Sequence, residues 1–79
     1  MKLNSFRKNM TEVERDGLTV LFSYKTPVAF HIEGKGFFKT DKKWSATTSR
    51  HINEWLKHHG ATMEKVQEKP QYILDNLKI

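Results

Sequence analysis

The chain has no cysteine. That excludes disulfide staples, cysteine-based zinc sites and thiol catalysis. It also lacks any long apolar run. The longest, Val20-Leu21-Phe22, falls far short of the roughly 20 residues a bilayer requires. The N-terminal M-K-L-N-S-F-R-K has a basic start with no apolar stretch behind it, so it does not read as a signal peptide. These absences predict a soluble, intracellular protein. Catalytic signatures are missing too. There is no G-x-S-x-G elbow and no H-E-x-x-H, because Trp55 stands four residues after His51. His51 and His58 share a helix face but lie two turns apart, about 10.5 Å. No RRM, KH or zinc-finger signature is present. The sequence therefore predicts no catalytic residue, no metal site and no cofactor.

What is present is small and basic. The chain has 79 residues, with 14 Lys and Arg against 9 Asp and Glu, a net charge of +5. The length predicts one domain over residues 1–79. A chain this short buries only about 60% of the surface its unfolded form exposes. The five Phe, two Trp and two Tyr should supply much of the core. A small domain without staples gains from self-association, so a homodimer is an expected option.

Periodicity predicts an α+β fold. Leu3, Phe6, Met10 and Val13 have helical spacing, which suggests a loosely docked N-terminal helix within residues 1–16. Asp16-Gly17 reads as a turn. Leu18 to Tyr24 alternates through Leu18, Val20, Phe22 and Tyr24, as a strand does. Leu21 breaks the polar set on the other face and suggests that this face is partly covered. Lys25-Thr26-Pro27 breaks the run. Val28 to Glu33 reads as a second strand, Glu33-Gly34-Lys35-Gly36 as a hairpin turn, and Phe37 to Thr40 as a third. The expected sheet is a three-stranded antiparallel meander.

The main helix is expected at about residues 48–59, with Thr47 or Thr48 as N-cap. Ile52, Trp55, Leu56 and His59 fall on one face, and Gly60 stands where a left-handed residue ends a helix. The apolar face should pack on Val20, Phe22, Phe30 and Ile32. A fourth strand is expected within residues 61–68. A short C-terminal helix from Pro70 should turn Tyr72, Ile73 and Leu77 inward.

The charge is uneven. Residues 35–59 hold six basic residues against Asp41 and Glu54, so +4 of the net +5 sits there. Lys35, Lys39, Lys42, Lys43 and Arg50 are the residues expected to neutralise phosphates. Trp44 offers a stacking face. Thr48 and Ser49, at the helix start, offer hydroxyls beside free backbone N–H groups. Phe37, Phe38 and Trp44 are left open between core and contact surface.

Two strings carry a resemblance: Y-K-T-P-V-A at residues 24–29 and K-K-W-S-A-T-T-S-R-H-I-N-E-W-L at 42–56. With Q-Y-I-L-D-N-L at 71–77, they resemble a family of short, uncharacterised proteins encoded by bacteriophages. The resemblance covers roughly residues 18–77. It implies a phage or prophage origin and expression in the cytoplasm of a bacterial host. It implies no catalytic residue. The expected role is binding, to nucleic acid or a nucleoprotein through the basic, aromatic surface. Two alternatives stand beside it. One is stoichiometric inhibition of a host protein or protein complex, as in anti-CRISPR defence evasion or takeover of host transcription. The other is a self-assembling structural module.

Overall fold

Alternation and two-residue turns govern the first part of the chain, not helical spacing. The computed structural model describes residues 2–77. Residues Lys2–Arg7 (β1) and Met10–Arg15 (β2) form an antiparallel hairpin. The expected N-terminal helix is therefore corrected to two strands. Met10 and Glu12 point to one buried face. A buried glutamate on that face masks the period-two signal that apolar residues would have given.

The sheet continues through Leu18–Ser23 (β3), Thr26–Ile32 (β4) and Gly36–Thr40 (β5), each antiparallel to its neighbour. The sixth strand, Gln67–Lys69 (β6), runs parallel to β5. The order is β1-β2-β3-β4-β5-β6, a mixed six-stranded sheet. The three-stranded meander was thus its centre alone. The Glu33–Gly36 turn and the Asp16-Gly17 turn form as expected. They meet at one end of the sheet, where the Glu33 N–H donates to the Gly17 carbonyl at 2.9 Å.

The main helix spans Ala46–His58 (α1). Its N-cap is Ser45, whose Oγ accepts the Thr48 N–H at 3.3 Å, so the expected caps Thr47 and Thr48 are corrected. Ser45 wins because its extended backbone (ψ 164°) leaves its hydroxyl facing the orphan donors of the first turn. Gly60 ends the helix at φ 71°, as its position predicts. After a 3₁₀ turn at Met63–Lys65 and β6, Pro70 precedes a short helix at Gln71–Asp75 (α2).

The two helices lie on opposite faces of the sheet. Ile52, Trp55 and Leu56 of α1 pack with Met10, Leu21, Val28 and Ala29. Val20, Phe30 and Phe38 pack with Leu74 of α2, flanked by Leu18, Phe22, Ile32 and Leu77. The expected packing of α1 on Val20, Phe22, Phe30 and Ile32 is therefore wrong in face. A register shift between Leu21 and Phe22 leaves Val28 without a partner in β3. That bulge, next to Pro27, turns Val28 and Ala29 toward the same cluster. Leu21 was the residue that signalled the covered second face.

On α2 the inward residue is Leu74, 1% exposed, whereas Tyr72 is 65% exposed and Ile73 also reaches solvent. Leu74→Ala should therefore cost about 2–5 kcal/mol, as core Leu→Ala changes do. Tyr72→Ala should stay within about 0.5 kcal/mol. Urea titration of both variants checks this, and equal losses would overturn the assignment of faces.

Candidate functional site

The stretch from β5 to α1 is tied down from inside by one side chain. The Gln71 Oε1 accepts from Thr40 Oγ1 at 2.6 Å and from the Trp44 indole N–H at 3.3 Å. Its Nε2 donates to the Pro27 carbonyl at 2.8 Å and to Asp75 at 3.0 Å. Thr40 Oγ1 in turn accepts the Lys42 N–H at 3.1 Å. The loop carrying the lysines is thus fixed on β4, β5 and α2 together.

Lys39, Lys42, Lys43 and Ser49 line one groove of about 300 Å³, beside Thr40, Ile52 and Asn53. Asp41 and Glu68 line it too, and Lys39 faces Glu68 at 3.9 Å. Among the described residues, Lys42, Lys43 and Arg50 form no ion pair. Lys42 Nζ lies 4.3 Å from the centre of the Trp44 ring, a cation–π contact. Trp44 is half-buried against the α1 cluster, and Phe38 is buried in the α2 cluster. Phe37 is half-buried against Trp55. Four of the expected residues (Lys39, Lys42, Lys43 and Ser49) share the groove, with Trp44 beside it.

The other three expected residues do not line the groove. Arg50 is exposed on α1, outside the lining. Lys35 sits in the hairpin turn at the far end of β5, about 13 Å along the strand. There it lines an apolar cleft on the α2 face, with Phe30, Phe38 and Ile73. Thr48 is buried and turned inward, its hydroxyl 3.0 Å from Ser23 Oγ. Ser23 Oγ is also 2.8 Å from His51 Nδ1. The arrangement that satisfies every hydroxyl runs from Ser45 to Thr48 to Ser23, with Ser23 donating to a neutral His51. Burial holds the His51 imidazole below its ordinary pKa, and the charges of Arg7 and Arg50 add to this. The arrangement is a buried lock between β3 and α1, out of reach of any ligand.

A second polar cluster was not anticipated. The Glu12 carboxylate accepts from Trp55 Nε1 at 2.8 Å, His59 Nε2 at 2.6 Å and Asn4 Nδ2 at 2.8 Å. Burial alone would raise its pKa. The three hydrogen bonds and the charge on His59 outweigh burial and hold it below the ordinary carboxylate range. Glu12, Glu14, Thr19, His31, Phe37, Trp55 and His59 surround a cleft of about 420 Å³. Nothing in the sequence marks Glu12, because Trp55 and His59, two of its three partners, are 43 and 47 residues away. Among the described residues, no group of three or more His, Asp or Glu is placed to hold a metal ion. No described helix is long and apolar enough to cross a membrane.

The family model for a family of unknown function (DUF8033) matches residues 1–74, and the chain belongs to that family. No curated protein and no solved structure matches it.

Both polar clusters make stability depend on pH in the same direction. A folded-state pKa below the unfolded value means that the unfolded chain binds more protons in that window, so stability falls as pH falls. The His51 contribution should be lost below its ordinary value of 6.5, and that of Glu12 below its ordinary 4.5. Urea midpoints should therefore drop between about pH 7 and pH 5. His51→Gln should flatten that drop and leave the more acidic one in place. A variant with the wild-type slope between about pH 7 and pH 5 would assign it elsewhere.

Proposed function

We propose that this member of the DUF8033 family binds nucleic acid, alone or in a nucleoprotein, through the groove between β5, α1 and the loop joining them. The observation that carries the reading is the convergence of Lys39, Lys42, Lys43 and Ser49 on one groove, with Lys42, Lys43 and Arg50 free of ion pairs among the described residues. Cations in water, unpaired and fixed at one end of a molecule, favour a polyanion by releasing its condensed counterions. Two of its lysines, Lys42 and Lys43, sit on a loop held by Gln71 rather than on a free tail. Little ordering of the loop is then needed on binding. Asp41 and Glu68 within the groove set the register of the anion by repelling it from those positions.

The resemblance to short phage-encoded proteins supports a setting in the cytoplasm of an infected bacterium. There such a protein would act by occupancy rather than turnover. The basic groove would serve the same way against an acidic surface of a host protein. Nuclease treatment of a captured complex separates these two outcomes.

The test is binding of short DNA and RNA oligonucleotides across a salt series. A Lys42→Ala, Lys43→Ala, Arg50→Ala triple variant should bind at least about tenfold more weakly at low salt, and its slope of log K against log salt should shrink by about 2. Full affinity in the triple variant would remove the groove from the reading. Absence of binding by the unmodified protein at low salt would remove nucleic acid.

A further inference from the structure

The three two-residue turns at the strand ends each place a residue in the left-handed region. Two of them use residues suited to it: Asn9 at φ 65°, and Asp16 at φ 51° followed by Gly17 at φ 83°. The third, between Ser23 and Thr26, uses Tyr24 at φ 59°. A bulky aromatic residue there is an outlier, because its Cβ crowds the following carbonyl. The ring is not recovering this by burial, since Tyr24 is 55% exposed. It rests in part on His51, with ring centres 6.2 Å apart. Its N–H donates to the Asn9 carbonyl at 2.7 Å, so the turn is bonded to the neighbouring one. Strain held in place with an exposed aromatic as the result is a reason to look for a ligand.

The surroundings fit one ligand chemistry. Lys8 and Lys25 occupy the same two turns, both exposed. Arg7, Glu54 and Arg50 lie close enough to His51 to act on its charge. Arg7 is paired with Glu54 at 2.9 Å, whereas Arg50 is exposed and unpaired among the described residues. Tyr24 lies at the end of the sheet where α1 begins, as the Ser23–Thr48 contact shows. The lysine groove lies against Ser49, Ile52 and Asn53, on the other flank of α1. The two flanks are separated by one helix diameter, about 10 Å. Trp44 is less available as a stacking face: Lys42 covers one side, and its N–H is held by Gln71. Tyr72, the other exposed tyrosine, sits on ordinary helical backbone.

Resting on the nucleic-acid reading, we propose that the ligand is single-stranded, and that Tyr24 is the platform on which one unpaired base stacks. The strand runs from the lysine groove across the start of α1 to this ring. A π-face accepts any base, and the flanking cations hold the backbone on either side. A duplex keeps its bases stacked on one another and gives Tyr24 no partner.

The experiment compares unmodified protein, Tyr24→Asn, Tyr24→Phe and Tyr72→Ala on single-stranded oligonucleotides of about 12 nucleotides, in DNA and RNA, and on the matching duplex. Asparagine suits the left-handed turn, so Tyr24→Asn should melt at the same temperature or higher. It should bind single strands about tenfold more weakly. Its salt slope should not change, because no cation is lost, and its duplex affinity should not change. Tyr24→Phe and Tyr72→Ala should bind like the unmodified protein. Wild-type single-strand affinity in Tyr24→Asn, an equal loss on duplex, or an equal loss in Tyr24→Phe would overturn the proposal while leaving the lysine groove standing. If the lysine and arginine variants also bind normally, the groove reading falls first, and on different proteins.

Discussion

The architecture hangs on a buried carboxylate. Glu12 stands on β2 beneath α1, nearly out of water, and takes three donors from three parts of the chain. Removing an ionised carboxyl from water costs several kcal/mol unless charge-assisted hydrogen bonds replace the lost hydration. Asn4 fixes β1, while Trp55 and His59 fix the last turn of α1 and its C-cap. The interaction therefore sets the line along which α1 crosses the sheet. It also brings the aromatic group of Phe37, Trp55 and His59 together, with Phe37 and His59 each edge-on or tilted to Trp55 at 5.6 and 5.1 Å. At the other end of α1, the Ser23–Thr48–His51 lock does the same work without charge. Between them, the two polar anchors leave the apolar residues of α1 only one seating.

That seating explains which parts of the fold the sequence could disclose. Strands β3, β4 and β5, the turns at Asp16-Gly17 and Gly34, and the Gly60 stop were readable because each rests on local chemistry: alternation, left-handed tolerance, capping. The face on which α1 packs was not. In β3 both sets, Val20 with Phe22 and Leu21 with Ser23, are buried or half-buried, so alternation alone cannot say which helix takes which. The decision falls to long-range polar pairs and to the bulge at Val28, and neither has a short-range signature. The N-terminal hairpin was hidden for a related reason. Its inward residues are Met10 and Glu12, and a strand whose core position is a glutamate looks solvent-facing until its donors are known.

The candidate site was legible to the same depth. The segment from Lys39 to Arg50 was visible as a concentration of charge, and its lysines do share a surface. Lys35 was drawn in by sequence proximity. A strand carries it to the opposite end of the sheet, where it borders an apolar cleft. Thr48 was drawn in as a cap, but Ser45 holds that position and frees Thr48 to turn inward. Tyr24 looked like one more inward strand residue by alternation. Its true setting depends on where β3 stops, and a turn one residue earlier than the proline break moves it from core to surface.

Charge placement separates the two ends of α1. Glu12 is committed to His59, Glu54 to Arg7 at 2.9 Å, and Glu68 to Lys39. Glu33 and Asp16 sit at the turns remote from the start of α1. Asp41 alone among the remaining described carboxylates lines the groove with Lys42 and Lys43, and cations outnumber it there. In water the repulsion among exposed cations is weak, about 1 kcal/mol per pair even at 4 Å, so the fold tolerates the excess. Like-charged groups gathered at one end still bring no stability of their own, and neither does a tyrosine on left-handed backbone. Packing and hydrogen bonding explain the rest of the molecule, from the Gln71 brace to the Glu12 anchor. They leave this end unexplained as a device of folding. The proposed single-stranded ligand, anionic and flat-faced, would account for both departures at once, and the charge and the strained ring would then form one surface.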